Sequence, residues 1–487
     1  MKRNLLKKGL IINLLITITL LVGCNLEVPT TASEPSEPTN IEENYCSICH
    51  ETKFADVQIY DELTPHTPTT FDENSVITSS KEICQGVVQN TYDFTLNSGK
   101  KSRVVITEVD LNYASIEGGT YNNKTSFSTL STVVSQAQAF EEDNPNYTVI
   151  AAINADFFGN GKSVNAFVKE SIIIKDGHND NGSYDYTNIN ADIPASMPML
   201  FGVSGNAAQV NPIIKNAPVK DTVKSKLFYE LLLERDKNHQ VLTTNVVLNV
   251  YGGDKDNVNI IYKTGRDGTA TPDSTVLKMK KHNANSTRIH GEIIGIETVD
   301  KTTKYRSTAE EYYIMIPNSL GITDLQIGDI ISNHVNSSDN TWKYYDTIIG
   351  CRQALVIDGK IASTVTLENT NGAQSTGIPR TAIGVMPNGK VAIFSVEGLR
   401  YGKTSSNDDD PYGLSLPQLA DFMRYYGVYS GANFDGGGST QLLTRNLETK
   451  EFDVTVRSSD YGTTIPTASR HVINSLLVYV ELNQSRE

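Results

Sequence analysis

At 487 residues, with 38% hydrophobic and 20% charged residues, the chain is long enough for one large folded domain or several ordinary ones. A formal net charge of −14 argues against nucleic acid as a partner, because phosphate contacts require clustered Lys and Arg.

The first elements in chain order read as export and anchoring. Lys2, Arg3, Lys7 and Lys8 precede the apolar run "GLIINLLITITLLVG", which is short for a membrane span and suits a signal core. "LVGC" resembles a bacterial lipobox, so residues 1–23 are expected to be a lipoprotein signal peptide and Cys24 the lipidated residue. That places the protein on the extracellular face of the cell membrane, attached through a lipid anchor. Residues 24–45 continue as a Pro-, Ser-, Thr- and Glu-rich stretch that cannot bury enough apolar surface to fold, and read as a flexible tether.

Residues 46–89 form a Cys-containing segment. "CSICH" gives Cys46, Cys49 and His50 in a C-x-x-C-H pattern. Three readings stand: a disulfide or free thiols among Cys46, Cys49 and Cys84; zinc, with Cys84 and His50 or His66 as added ligands; or haem attachment at Cys46, Cys49 and His50. No helical haem-binding pattern surrounds the motif.

From about residue 90 to 483, short apolar runs are broken by Gly, Asn and Asp. "VVITEVDL", "YTVIAAIN", "TTNVVLNVY", "RIHGEIIGIETV", "EYYIMIP", "GDIISNHV", "QALVIDGKI" and "KVAIFSVEG" read as strands. Residues 126–143 read as a helix with Phe127, Leu130, Val133, Val134, Ala137 and Phe140 on one face. "SLPQLADFMRYYG" reads as a second helix, capped by Ser415, with Pro417 in its first turn and Gly427 at its end. The expected fold is one large, strand-dominated α+β domain with mixed or antiparallel sheet and a few packed helices.

Each helix precedes an apolar strand that ends in the same triplet. "AAINADFF" delivers Asn154 and Asp156, and "SGANFDGGG" delivers Asn433 and Asp435; residues two apart on a strand share a face. Turn preference alone explains one such triplet; two in one architecture point to a site. Three consecutive glycines, Gly436 to Gly438, then cost conformational entropy. They serve either a loop whose N–H groups meet an anion or a packing device at a crowded sheet end. "IPRTAIGVMPNGKVAIFSVEG" reads as a hairpin about Asn388–Gly389. A two-residue loop there sets Arg380 opposite Glu397, with a slip of one place left open, either as an ordinary ion pair or as an anion-binding arginine oriented by Glu397.

Together, "AAINADFF", "PRTAIGVMPNGKVAIFSVEG", "LSLPQLADFMRYYGVYSGANFDGGGST" and "SRHVINSLLVYV" resemble the phosphodiester glycosidase family, in the family's order. The resemblance implies pocket roles for Asn154, Arg380, Thr381, Asp435, Gly436, Gly437, Gly438, Ser439, Arg470 and Asn474. Two departures stand out: the family often has Gly where Ala155 and Asp156 stand, and Glu397–Gly398 is followed by Leu399, with Arg400 one place late. The implied reaction is hydrolysis of a sugar-1-phosphodiester at its glycosidic bond. Asp435 is the first catalytic carboxylate, and Asp156 or Glu397 the second. By the same resemblance Arg380 or Arg470, with the Gly436–Gly438 amides, would hold the phosphate charge, and Asn154 and Asn474 would meet sugar hydroxyls, a satisfied core amide being the other reading of Asn474.

A phosphosugar or glycopolymer is the expected partner. The chemistry requires no cofactor, although Asp435 and Asp156 with nearby carbonyls have the donor type for a divalent cation. The rival reading is a non-catalytic surface module that binds phosphosugar or envelope polysaccharide.

Overall fold

The computed structural model describes residues 57–124, 129–159, 161–177, 199–213, 226–235, 238–282, 289–338, 340–362, 377–399, 411–456, 458–460 and 470–482. The export signal, Cys24, the tether, and Cys46, Cys49 and His50 lie outside these residues, as do Phe127 and Arg400. Cys84 is half-buried at the end of strand Ile77–Cys84.

Strands dominate. The described residues hold two α-helices, α1 (Val133–Asp143) and α2 (Leu416–Tyr426), against two eight-stranded sheets, two five-stranded sheets and two small ribbons. The α+β expectation thus narrows to a mostly β fold with few helices. The physical reason is the brevity of the apolar runs: most are too short to stabilise a helix and are rich in β-branched residues. Every described ladder is antiparallel except Val246–Leu248 against Val258–Ile261.

In chain order, the strands around the site are β1 (Tyr147–Asn154), β2 (Thr347–Cys351), β3 (Ala354–Ile357), β4 (Arg380–Val385), β5 (Val391–Val396), β6 (Ser430–Asn433), β7 (Leu442–Arg445) and β8 (Ser475–Glu481). The first sheet runs from Ile77–Cys84 through Val87–Thr95, Lys101–Val109, β5, β4 and β6 to β3 and Lys360–Ile361. Its outer strands therefore begin well before residue 90. The second sheet holds β7, β1 and β8 in its centre, and the third contains β2 beside Met199–Ser204 and Phe167–Lys169. One apolar core joins all three, with Val104, Ile383 and Phe394 from the first sheet, Ile153 and Leu442 from the second, and Phe167 and Ile349 from the third. The other eight-stranded sheet, built from segments between Phe228 and Asn336, has its own core around Leu231, Leu277, Ile293, Ile314 and Ile331.

Both helices precede the strands that carry the paired triplets, α1 before β1 and α2 before β6. Helix α2 has the boundaries its sequence encodes. Ser415 and Gln418 form a capping box, Pro417 sits where its missing N–H costs nothing, and Gly427 ends the helix at φ 100°. Leu416, Leu419, Phe422 and Met423 are buried, each contributing about 1.5–3 kcal/mol. Helix α1 starts later than expected. Thr132 caps it by accepting from Ser135 N, and Ser131 pairs with Val472 in extended conformation.

The N-terminal described segment lies along α2. Asp421 of that helix is 1% exposed and accepts from His66 Nε2 at 2.7 Å, Thr69 N at 2.8 Å and Thr70 N at 2.9 Å. The Tyr60 ring stacks on Tyr429 with centroids 3.7 Å apart. The fold thus commits His66 to a carboxylate partner.

Candidate functional site

Three inter-sheet crossings meet at one place. Residues 434–441 carry the chain from β6 in the first sheet to β7 in the second. Residues 352–353 carry it from β2 in the third sheet to β3 in the first. Residues 155–157 leave the end of β1. Backbone bonds tie the crossings together: Asp435 N donates to Ala155 O at 3.0 Å, Arg352 N to Asn433 O at 3.0 Å, and Phe434 N to Thr381 O at 2.8 Å. The two triplets are therefore in contact.

Asn154 is the hub of this junction. Its side chain is fully buried, donates through Nδ2 to Asp435 O at 2.7 Å, and accepts at Oδ1 from Thr381 Oγ1 at 2.9 Å and Gln441 N at 3.2 Å. Thr381 is equally sealed. Both residues position the loop from inside. Asn474 accepts from Asp156 N at 2.9 Å through Oδ1, which fixes its amide orientation and leaves Nδ2 buried with no partner among the described residues. Asn433 Oδ1 and Gln441 Oε1 are orphaned in the same way at the same junction. Buried polar atoms normally have partners, so these orphans make the junction a candidate for polar occupancy.

Asp435 stands half-buried on the accessible side of the loop, next to half-buried Gly436 and Gly437. Burial pushes its carboxyl pKa up. Gly436 N, bonded to Oδ1 at 3.0 Å, and the charges of Arg470 and Arg352 pull it back. Ser439 Oγ, fully buried, lies close enough to favour the ionised form while falling outside hydrogen-bond geometry.

The triple glycine does less for an anion than its sequence suggests. Gly436 N serves Asp435 itself, and Gly437 N donates to Pro379 O at 2.8 Å. The glycines answer to crowding and conformation. Gly437 has φ +63°, in the left-handed region. A Cβ on Gly438 would collide with the Arg470 guanidinium and the Asp460 carboxylate. Arg470 reaches across Gly438 to hold Asp460 with two bonds, Nε to Oδ2 at 2.7 Å and Nη2 to Oδ1 at 2.9 Å.

Arg380 lies underneath. It is 6% exposed, its Cδ borders Gly436, and its Nε donates to Leu414 O at 3.0 Å; burial lowers its pKa to about 10. It does not face Glu397. The observed register sets Arg380 opposite Val396, one place from the two-residue-loop expectation. Met386 N bonds to Lys390 O at 2.8 Å and Gly389 N to Met386 O at 2.9 Å, so the loop holds Pro387, Asn388 and Gly389. Gly389 is left-handed at φ +81°, the conformation such a three-residue loop requires. Glu397 instead lies 3.7 Å from Arg103 Nη1, and its N–H donates to Arg103 O at 3.1 Å.

Asp156 adjoins Asp435 through the backbone but turns its carboxylate inward. It is 1% exposed and accepts from Ser163 Oγ, from Asn165 N at 2.9 Å and from Asn165 Nδ2 at 2.6 Å. Burial outweighs these donors and raises its pKa to about 7. No group of three His, Cys, Asp or Glu side chains among the described residues is arranged to hold a metal ion.

Arg352 is a residue the sequence reading passed over. Its side chain is exposed, and its guanidinium lies 5.5 Å from the centre of the Phe157 ring. A signal for it existed: "GCRQALVI" sets an arginine immediately before an apolar strand, as "IPRTAIGV" does for Arg380.

The class of protein follows from a sequence comparison. Residues 314–479, roughly a third of the chain, match the phosphodiester glycosidase family model. The match takes in Arg352, Arg380, Asp435, the glycine loop, Arg470 and Asn474; Asn154 and Asp156 precede it. Among solved structures, a Synechocystis protein aligns at TM-score 0.43 and 14% identity over 83% of this chain, which spans 64% of that protein's length. A Burkholderia pseudomallei protein aligns at 0.42 and 11% identity, over 87% of this chain and 100% of that one. The catalytic domain of zebrafish N-acetylglucosamine-1-phosphodiester alpha-N-acetylglucosaminidase, auto-inhibited by its pro-peptide, aligns at 0.38 and 12% identity, over 87% and 96%. No curated protein matches the chain. The likeness to the family rests on the sequence match over residues 314–479.

Proposed function

We propose that the chain hydrolyses the glycosidic bond of a sugar-1-phosphodiester, freeing the sugar and leaving a phosphomonoester on its partner. The observation that carries this reading is Asp435: a half-buried carboxylate at the junction of three crossings, with two arginines in electrostatic reach. Water adds to the anomeric carbon, the bond from that carbon to the phosphate oxygen breaks, and the phosphate departs as an anion that needs little protonation. Asp435 acts on the positive charge that develops at the sugar, as nucleophile, electrostatic partner or base toward water. Asp435 must be ionised for any of these roles, so activity rises with pH through its raised pKa.

Asp156 does not offer a second reactive carboxylate in this arrangement, because protein donors surround both of its oxygens. It holds the turn after β1. Lipidation at Cys24 would confine the reaction to phosphosugars or glycopolymers at the outer membrane face.

The test is turnover of an aryl phosphodiester of a sugar by purified protein. Wild type should release aryl phosphate and free sugar, and Asp435→Asn should abolish release while still binding the substrate. Saturable binding by wild type with no hydrolysis on long incubation would replace the enzyme with a binding module.

A further inference from the structure

Arginine chemistry at the junction is unevenly committed. Arg380 is sealed beneath Gly436, and Arg470 is held by both oxygens of Asp460. Arg445, at the end of β7, binds Glu141 and Val149 O. Arg352 differs from all three: it is exposed, its guanidinium lies 5.5 Å from the centre of the Phe157 ring, and its side chain makes no hydrogen bond or ion pair among the described residues. Its backbone is bonded to Asn433, two residues before Asp435, so the side chain starts from a fixed point beside the carboxylate.

We propose that Arg352, held against Phe157, grips the phosphate of the substrate and makes the site select anionic leaving groups over neutral ones. This rests on the reading of the site as a glycosidase. An aromatic face orients a planar guanidinium while leaving its edge N–H groups available, and that edge matches two phosphate oxygens. The support for Phe157 comes from the sealed carboxylate next to it. Asp156 binds Ser163 and Asn165, and Val164 N donates to Phe157 O at 2.8 Å, closing the turn that presents the ring. Asp156 is therefore a positioning residue that acts through Phe157 on Arg352. Arg352 also supplies part of the positive charge that favours ionised Asp435, so one side chain serves leaving group and carboxylate together.

The experiment compares wild type, Arg352→Ala, Arg352→Lys and Phe157→Leu as full chains, with unfolding midpoints as a check on folding. Two substrates of one sugar are used, its aryl phosphodiester and its neutral aryl glycoside, and inorganic phosphate binding is followed by calorimetry. Arg352→Ala should lose about 100-fold in kcat/KM on the phosphodiester and less than threefold on the neutral glycoside. Arg352→Lys should recover part of the loss, and Phe157→Leu should raise KM more than it lowers kcat. Phosphate should bind wild type at least tenfold tighter than Arg352→Ala. Equal losses on both substrates, or equal phosphate affinity in wild type and Arg352→Ala, overturn the proposal. A wild type that binds phosphate through Arg352 yet cleaves neither substrate overturns the glycosidase reading alone.

Discussion

Asp156 and Asp435 occupy the same place in the same Asn-x-Asp triplet, at the ends of two apolar strands that each follow a helix. The surroundings divide them. Asp156 is 1% exposed among hydroxyl and amide donors, with a pKa raised to about 7, whereas Asp435 is half-buried, with Arg352 and Arg470 opposing the effect of burial. Spacing delivers a carboxylate to a sheet end; what packs around it decides whether it braces the fold or meets a ligand.

The widest separation of the two should come from removing each charge in turn. Asp435→Asn is expected to lower kcat on the order of 10²–10⁴-fold, and Asp156→Asn less than tenfold. A comparable collapse in Asp156→Asn, with its unfolding midpoint intact, would break the contrast.

Acidity sharpens the same comparison from the stability side. With a folded pKa of about 7 against an ordinary 3.8, Asp156 binds its proton more tightly in the folded chain than in the unfolded one. Its contribution is largest below about pH 4 and falls as pH rises, vanishing near pH 7; the full swing is on the order of 4 kcal/mol. Denaturant midpoints measured from pH 4 to 8 should therefore decline less in Asp156→Asn than in wild type. Parallel declines would show that the carboxylate is not held protonated.

Asn154→Ala tests the junction that both triplets share. It leaves Asp435 O, Thr381 Oγ1 and Gln441 N without their buried partner and should destabilise by roughly 3 kcal/mol in urea unfolding. A change below about 0.5 kcal/mol would mean that the amide carries no structural load and is available to substrate. The smallest expected effect is Gly438→Ala, which forces Arg470 and Asp460 apart at a cost of about 2 kcal/mol and should raise KM. Unchanged KM would separate the Arg470–Asp460 pair from substrate binding.

Much of the scaffold was legible in local signals. The capping box of α2, the whole of β1 and the strand Glu311–Pro317 follow from periodicity and cap residues alone. The segment recognisable as a phosphodiester glycosidase overlaps the family match. What escaped depends on distant contacts. Pro387 joined the hairpin loop and shifted Arg380 away from Glu397, and no local pattern counts loop residues reliably. The amides of Asn154, Gly436 and Gly437 found partners up to hundreds of residues away, which removed them from ligand duty. Arg352 was hidden because its surroundings, Asn433 and Phe157, are both remote in the chain.

The last long strand, β8, pairs with β1 and follows directly after Asn474, whose carbonyl and side-chain oxygen hold Ala155 and Asp156. Without this stretch the turn that presents Phe157 keeps its Ser163, Asn165 and Val164 bonds but loses the two that Asn474 supplies. Residues far forward in the chain, Ala155 and Asp156, thus take their final place only once the segment around Asn474 has folded against them.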